Sequence, residues 1–120
     1  MNLIKKLNNH FFGVYCEKMV MLFFLIKGYQ IISWRYKTPY GEIDLVLRKK
    51  NYLIFVEVKS TINKYFNIEL SLRESQVNRI YQAIDFYVSN NLSQQNMLRR
   101  IDLIEIDGIT SLKHYENFLG

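Results

Sequence analysis

The chain predicts an α/β fold, a small mixed sheet flanked by helices in the order α-β-β-β-α-β. Three observations predict it. Two segments carry apolar residues at helical spacing. Three runs rich in β-branched and aromatic residues lie between them, parted by short polar turns. A fourth such run follows the second helical segment, so a parallel crossover should join the third strand to the fourth. A length of 120 residues suits one domain and not two, with a core over about residues 9–107 and a short C-terminal tail.

The first helix is expected from a cap at Asn8 or Asn9 to about Lys27, with Gly28 as its stop. Phe12, Tyr15, Met19, Leu22, Phe23 and Ile26 make one apolar face, and Val20, Met21 and Phe24 make a second. A helix so apolar should be covered nearly all round, by the rest of the domain or by a partner subunit. Glu17 falls on the side of Val20, an awkward place for a carboxylate. Tyr29 to Tyr36 reads as a strand, and Thr38 to Gly41 as a break. Glu42 to Arg48 and Tyr52 to Lys59 form the next two strands, joined by a polar turn over Lys49–Asn51. Ser60 to Leu70 is expected to be a loop. Ser71 and Glu74 have capping-box spacing before the amphipathic stripe Val77, Ile80, Tyr81, Ile84, Tyr87 and Val88, which ends near Asn90–Asn91. Arg100 to Asp107 is the fourth strand, and the tail reads as a short helix.

Composition narrows the class. At 49% hydrophobic and 22% charged the chain reads as a soluble globular domain, and its 15% aromatic share argues against disorder. The longest apolar run, Met19 to Ile26, has eight residues, against about 20 for a membrane span, so no membrane partner is expected. Glu17 and Lys18 interrupt any signal-peptide apolar region. A single cysteine, Cys16, rules out an internal disulfide or zinc-finger framework and points to a reducing, cytoplasmic setting; a buried inert thiol is the expected state. The net charge of +5 is uneven. Residues 1–60 hold ten bases and only four acids, Glu17, Glu42, Asp44 and Glu57, whereas residues 61–120 hold six bases and seven acids. A basic first half suits a polyanionic partner.

The chemistry-bearing stretch is GEIDLV, a turn, then IFVEVKS, over Gly41 to Ser60. Strand alternation puts Glu57 and Lys59 on one face and Val56 and Val58 on the other. It puts Asp44 on the face opposite Ile43, Leu45 and Leu47. A hairpin turn of two or four residues sets Asp44 across from Glu57, while a three-residue turn breaks that register. Opposed carboxylates repel. Partly buried, they need a cation or a raised pKa. Two carboxylates and a backbone carbonyl, completed by water and substrate oxygens, suit Mg²⁺. Lys59 beside them suits a nucleophilic water or a phosphate oxygen. A solvated, salt-bridged sheet edge is the plainer alternative, but the apolar run IFVEV favours an interior strand.

With Glu17, Gly28–Tyr29, Arg35, GEIDLV, FVEVK, an alanine-containing helix and the Arg100-x-Asp102 strand, residues from about Phe11 to Asp107 resemble the restriction-endonuclease-like PD-(D/E)xK nucleases, including the archaeal Holliday-junction resolvases. More closely, they resemble the YraN-like family of bacterial proteins. The resemblance implies a restriction-endonuclease-like fold. It implies Asp44, Glu57 and the Val58 carbonyl as ligands of Mg²⁺ (or Mn²⁺), Lys59 as the catalytic lysine, and Glu17 as an added helix carboxylate. Gln76 and Arg79 fall where related nucleases place polar residues near the site. Gln76 departs from the lysine common in YraN-like sequences, and Ser60–Thr61 departs from a basic residue after the lysine. Arg35, Lys37, Lys49 and Lys50 are candidates for phosphate contact. His10 and His114 are isolated and expected to be solvated. Trp34 and the nine tyrosines could stack on bases, but aromatic core is the better reading for most of them.

The leading expectation is a Mg²⁺-dependent endonuclease acting on DNA, with branched or damaged DNA among its substrates. The alternatives are a nuclease-like module that binds nucleic acid without cutting it, and a protein that forms a homodimer or docks a partner through its first helix.

Overall fold

A computed structural model describes residues 3–60, 74–107 and 111–119, with side chains at 14–59, 75–106 and 111–119. The elements run α1 (Leu3–Ile26), β1 (Gln30–Thr38), β2 (Gly41–Lys49), β3 (Tyr52–Ser60), α2 (Glu74–Ser89), a 3₁₀ turn (Leu92–Gln94), β4 (Leu98–Asp107) and β5 (Ser111–Tyr115). The strands form one mixed sheet in the order β1-β2-β3-β4-β5. Only β3 and β4 pair in parallel, across the α2 crossover. The expected loop after Ser60 and the Ser71 half of the capping box lie outside the described residues, as does the side chain of His10.

Helix α1 starts at Leu3, ahead of Asn8 and Asn9. Asparagine is a weak helix former rather than a breaker, so these two lie inside the helix instead of capping it. The other end is as expected. Gly28 has φ +86. Its N–H donates to the Leu25 carbonyl at 3.1 Å, and the Tyr29 N–H donates to that of Phe24 at 3.0 Å. This is a Schellman stop, which needs a residue free to take positive φ.

The sheet is packed on both faces. Cys16, Val20 and Phe24 of α1 meet Leu45, Leu47, Ile54 and Val56 on one side. On the other, Ile80, Ala83, Ile84 and Tyr87 of α2 meet Ile43, Val46, Leu53 and Phe55. The rest of the chain does not cover helix α1 all round: Phe24 is fully buried, whereas Leu22, Leu25 and Ile26 are exposed. No helix among the described residues is long and apolar enough to cross a membrane.

The tail is the clearest correction. Residues Ser111–Tyr115 form a fifth strand, not a helix, antiparallel to β4. An open β4 edge offers a ladder of backbone hydrogen bonds that five residues could not secure as an isolated helix. His114 is corrected with it. The ring is buried beside Phe23, Phe24 and Tyr29, and its Nε2 lies 2.6 Å from Asp102 Oδ2.

Candidate metal and phosphate site

The hairpin closes with Lys49 paired to Tyr52, a two-residue turn in which Lys50 takes positive φ. The ladder runs from there to Leu45 opposite Val56. One further step would oppose Asp44 and Glu57, as the spacing predicts. Pairing stops short of that step. Instead Val58 N–H donates to Asp44 Oδ2 at 2.7 Å, so the side chain accepts a hydrogen bond where the ladder ends.

Strict alternation fails at this point. Across β1 and β2, Trp34 pairs with Leu45 and Tyr36 with Ile43. Trp34 and Leu45 line a cleft beneath α1, while Tyr36 and Ile43 pack with the α2 core. The face changes over Arg35 and Asp44, and Arg35 takes φ +51 there, a strained value for a non-glycine residue. Asp44 therefore shares the α1-side cleft with Leu45 rather than facing away from it. Glu57 lines a depression on the α2 side with Ile43, Phe55, Arg79 and Ile80. Register thus makes the two carboxylates neighbours along the fork, while their side chains serve opposite sides of the sheet.

Their electrostatics differ accordingly. Burial pushes the Asp44 carboxyl up to about 7, and the Glu57 charge pushes the same way; the Val58 N–H, Lys59 and Arg79 only partly oppose this. Glu57 has direct partners: Arg79 Nη2 donates to its Oε1 at 3.1 Å, and Lys59 Nζ lies 3.6 Å from the same oxygen. Arg79, a candidate near the site and for nucleic-acid contact, braces this carboxylate from α2. Gly41 makes room for it. At φ +117, a Cβ on Gly41 would come within 2.9 Å of Arg79 Nη1. The glycine in GEIDLV was the available signal, although a glycine alone does not reveal which side chain approaches it.

The cleft under α1 has a volume of about 170 Å³ and is lined by Cys16, Glu17, Val20, Trp34, Arg35, Asp44, Leu45 and Val58. Glu17 shares it with Asp44 but is engaged by Arg35, whose Nε donates to Glu17 Oε1 at 2.8 Å and whose Nη2 meets the same oxygen. Arg35 also lies over the Trp34 ring, 5.2 Å from its centroid. Trp34 is half-exposed. Burial, and then the Glu17 charge, raise the Cys16 thiol pKa, consistent with an inert cysteine. Two buried side-chain oxygens lack any partner among the described residues, Glu17 Oε2 and Gln76 Oε1. No group of three or more His, Cys, Asp or Glu side chains among the described residues could hold a metal. Glu17, Asp44 and Glu57 thus do not converge as a set.

The remaining candidate bases scatter. Lys37 is exposed on β1. Lys49 Nζ donates to the Lys27 carbonyl at 3.1 Å and lies over the Tyr29 ring, and Lys50 is exposed in the turn. Both lysines are five or six residues along the strand from Asp44, about 17 Å or more at ~3.3 Å per residue.

Sequence reasoning missed a second acidic centre, Asp102, as a bonded network. This carboxylate is fully buried on β4. It accepts from Arg100 Nε and Nη2 at 2.8 Å each and from the Asn117 N–H at 2.9 Å, besides the contact to His114. Arg100 Nη2 also donates to the Tyr29 hydroxyl at 2.9 Å. The Arg100-x-Asp102 spacing was visible, but the partners from residues 114 and 117 were not.

Known proteins resemble this chain over most of its length. The model of a family described as "Uncharacterised protein family UPF0102" matches residues 16–106, a span that includes Glu17, Asp44, Glu57, Lys59 and Asp102. A UPF0102 protein of Fervidobacterium nodosum is 39% identical over 104 residues, covering 84% of this chain and 76% of its own. One from Ehrlichia ruminantium is 31% identical over 113 residues, covering 94% and 87%. One from Rhodopseudomonas palustris is 34% identical over 94 residues, covering 78% and 69%.

Proposed function

The chain belongs to the uncharacterised protein family UPF0102, the YraN-like family, and from that premise we propose that it is a Mg²⁺-dependent nuclease of restriction-endonuclease-like fold that hydrolyses phosphodiester bonds in DNA. One observation carries the reading: a half-buried, under-compensated carboxylate, Asp44, stands at the fork where the β2–β3 ladder ends, beside the Glu57-x-Lys59 pair. The donor chemistry suits a hard divalent ion. Asp44, Glu57 and the Val58 carbonyl all offer oxygen, and the charge of Glu57 already disfavours ionised Asp44, but an ion at the open end of the fork would have to draw Glu57 across from the α2 side. Mg²⁺ or Mn²⁺ bound there would polarise the scissile phosphate and stabilise the leaving oxygen.

The chain's own residues supply the rest. Lys59, held near Glu57, orients the attacking water and offers its ammonium to a phosphate oxygen. Arg79 holds Glu57 in place from α2, and Gly41 lets it approach. The ten bases of residues 1–60 draw the polyanion towards this centre. Arg35 and Lys37 flank the cleft-side strand, while Lys49 and Lys50 contact more distant phosphates. The exposed Leu22, Leu25 and Ile26 of α1 would serve a second copy of the chain, which suits two-fold branched substrates.

A second reading has its own observation. Glu57 is already ion-paired to both Lys59 and Arg79, which suits a module that binds nucleic acid without cutting it. Calorimetric Mn²⁺ titration of wild type and Asp44→Ala, followed by cleavage assays on single-stranded, duplex and junction DNA, separates the two. Binding that Asp44→Ala abolishes, with cleavage, upholds the nuclease; salt-sensitive DNA binding without Mn²⁺ binding or cleavage overturns it.

A further inference from the structure

The α1-side cleft does work that metal binding leaves unexplained. Its floor is apolar, formed by Cys16, Val20, Leu45 and Val58, and its volume is about 170 Å³. A cavity of about 150 Å³ accepts one benzene ring, so this cleft suits one six-membered ring. Glu17 lines it and carries a buried Oε2 with no partner among the described residues. A buried acceptor left unpaired is costly, so this oxygen calls for a donor. Trp34, half-exposed and lining the same cleft, offers a stacking surface. Asp44 lies in the same wall, so a ring seated here brings its own strand's phosphate next to the fork.

We infer that this cleft receives one unstacked pyrimidine base of a DNA strand, cytosine in particular, with its ring against Trp34 and its exocyclic amino group donating to Glu17 Oε2. Cytosine N4 is the base donor that a glutamate accepts, and enzymes that take a base out of the stack hold it between aromatic and apolar side chains. Arg35 binds the other Glu17 oxygen, so it presets the orientation of the carboxylate. A paired base cannot enter, so the selected substrate carries unpaired nucleotides. This inference rests on the nucleic-acid reading above and names the part of the substrate that the site selects.

The test uses the whole protein in chelator. Emission of Trp34, the one tryptophan, and anisotropy of labelled 12-nucleotide strands are followed for oligo-dC, oligo-dA, an abasic strand of equal charge, and a blunt duplex. The inference expects oligo-dC to shift Trp34 emission and to bind about tenfold more tightly than the abasic strand, the scale of one stacked base. Trp34→Leu should lose that advantage and Trp34→Phe retain most of it, with thermal melts showing that both fold. Glu17→Gln should weaken oligo-dC binding while leaving the size-based exclusion of oligo-dA in place. Equal affinity for abasic and dC strands, or unchanged Trp34 emission on binding, overturns the inference. Mg²⁺-dependent cleavage of the same strands is scored separately. Cleavage indifferent to base identity overturns the pocket and leaves the nuclease standing; base-selective binding without cleavage upholds the pocket and overturns the nuclease.

Discussion

Asp44 and Asp102 are both aspartates withdrawn from water within one sheet, on β2 and β4, and they are met in opposite ways. Asp102 receives two bonds from Arg100, one from the Asn117 N–H and a contact from His114. Burial alone would raise its pKa, but the His114 and Arg100 hydrogen bonds, with that of Asn117, hold it below the ordinary aspartate value. Asp44 accepts one backbone N–H, and burial with the nearby Glu57 charge drives it up to about 7. A charge compensated from within secures the fold. One left short is where an external cation has something to gain.

The largest effect that tests this contrast is loss of the compensated centre. Asp102→Ala strands buried Arg100 and His114, and denaturant unfolding should show a loss of about 3–5 kcal/mol. Asp44→Asn should act in the opposite sense, stabilising the metal-free protein at pH 8 by on the order of 2 kcal/mol while abolishing Mn²⁺ binding. Equal destabilisation by both variants would erase the distinction.

pH sharpens it further. The fold favours protonated Asp44, so its stabilising contribution is complete below about pH 4 and is lost as pH rises through about 7. Asp102 contributes the reverse: its stabilisation is present above the ordinary aspartate pKa and is lost as pH falls through its lowered folded value. Melting of wild type and Asp44→Asn in chelator from pH 4 to 8 should converge at acid pH and part towards pH 8, with the variant higher. Parallel curves would refute the assignment. Gly41→Ala should have the smallest effect, about 1–2 kcal/mol, from a left-handed glycine replaced beside Arg79. It should weaken Mn²⁺ binding only modestly if Arg79 merely braces Glu57, and a full loss of binding would make Arg79 indispensable to the site.

Legibility varied with the range of the interaction. The Gly28 stop, a polar hairpin turn around Lys49–Asn51 and the parallel crossover were readable, because each depends on neighbours or on a rule of handedness, whereas the length of that turn was left open and only the pairing of Lys49 with Tyr52 settles it. The face of Asp44 was misread because alternation assumes a regular strand, and Arg35 with φ +51 on the adjacent strand breaks that regularity. The tail was misread because SLKHY is too short to declare a period, and only the open β4 edge makes it a strand.

By itself, then, the sequence determined the presence of both helices, the first four strands, a short list of hairpin registers and the concentration of carboxylates with a lysine in a basic half. Backbone hydrogen bonding and side-chain period act over a few residues, so they are written locally. Tertiary structure decided what became of each charge: Arg79 on Glu57, Arg35 on Glu17, Arg100 and His114 on Asp102, and too little on Asp44. Charge compensation depends on burial and on groups distant in the chain, and neither exists until the sheet and both helices have assembled.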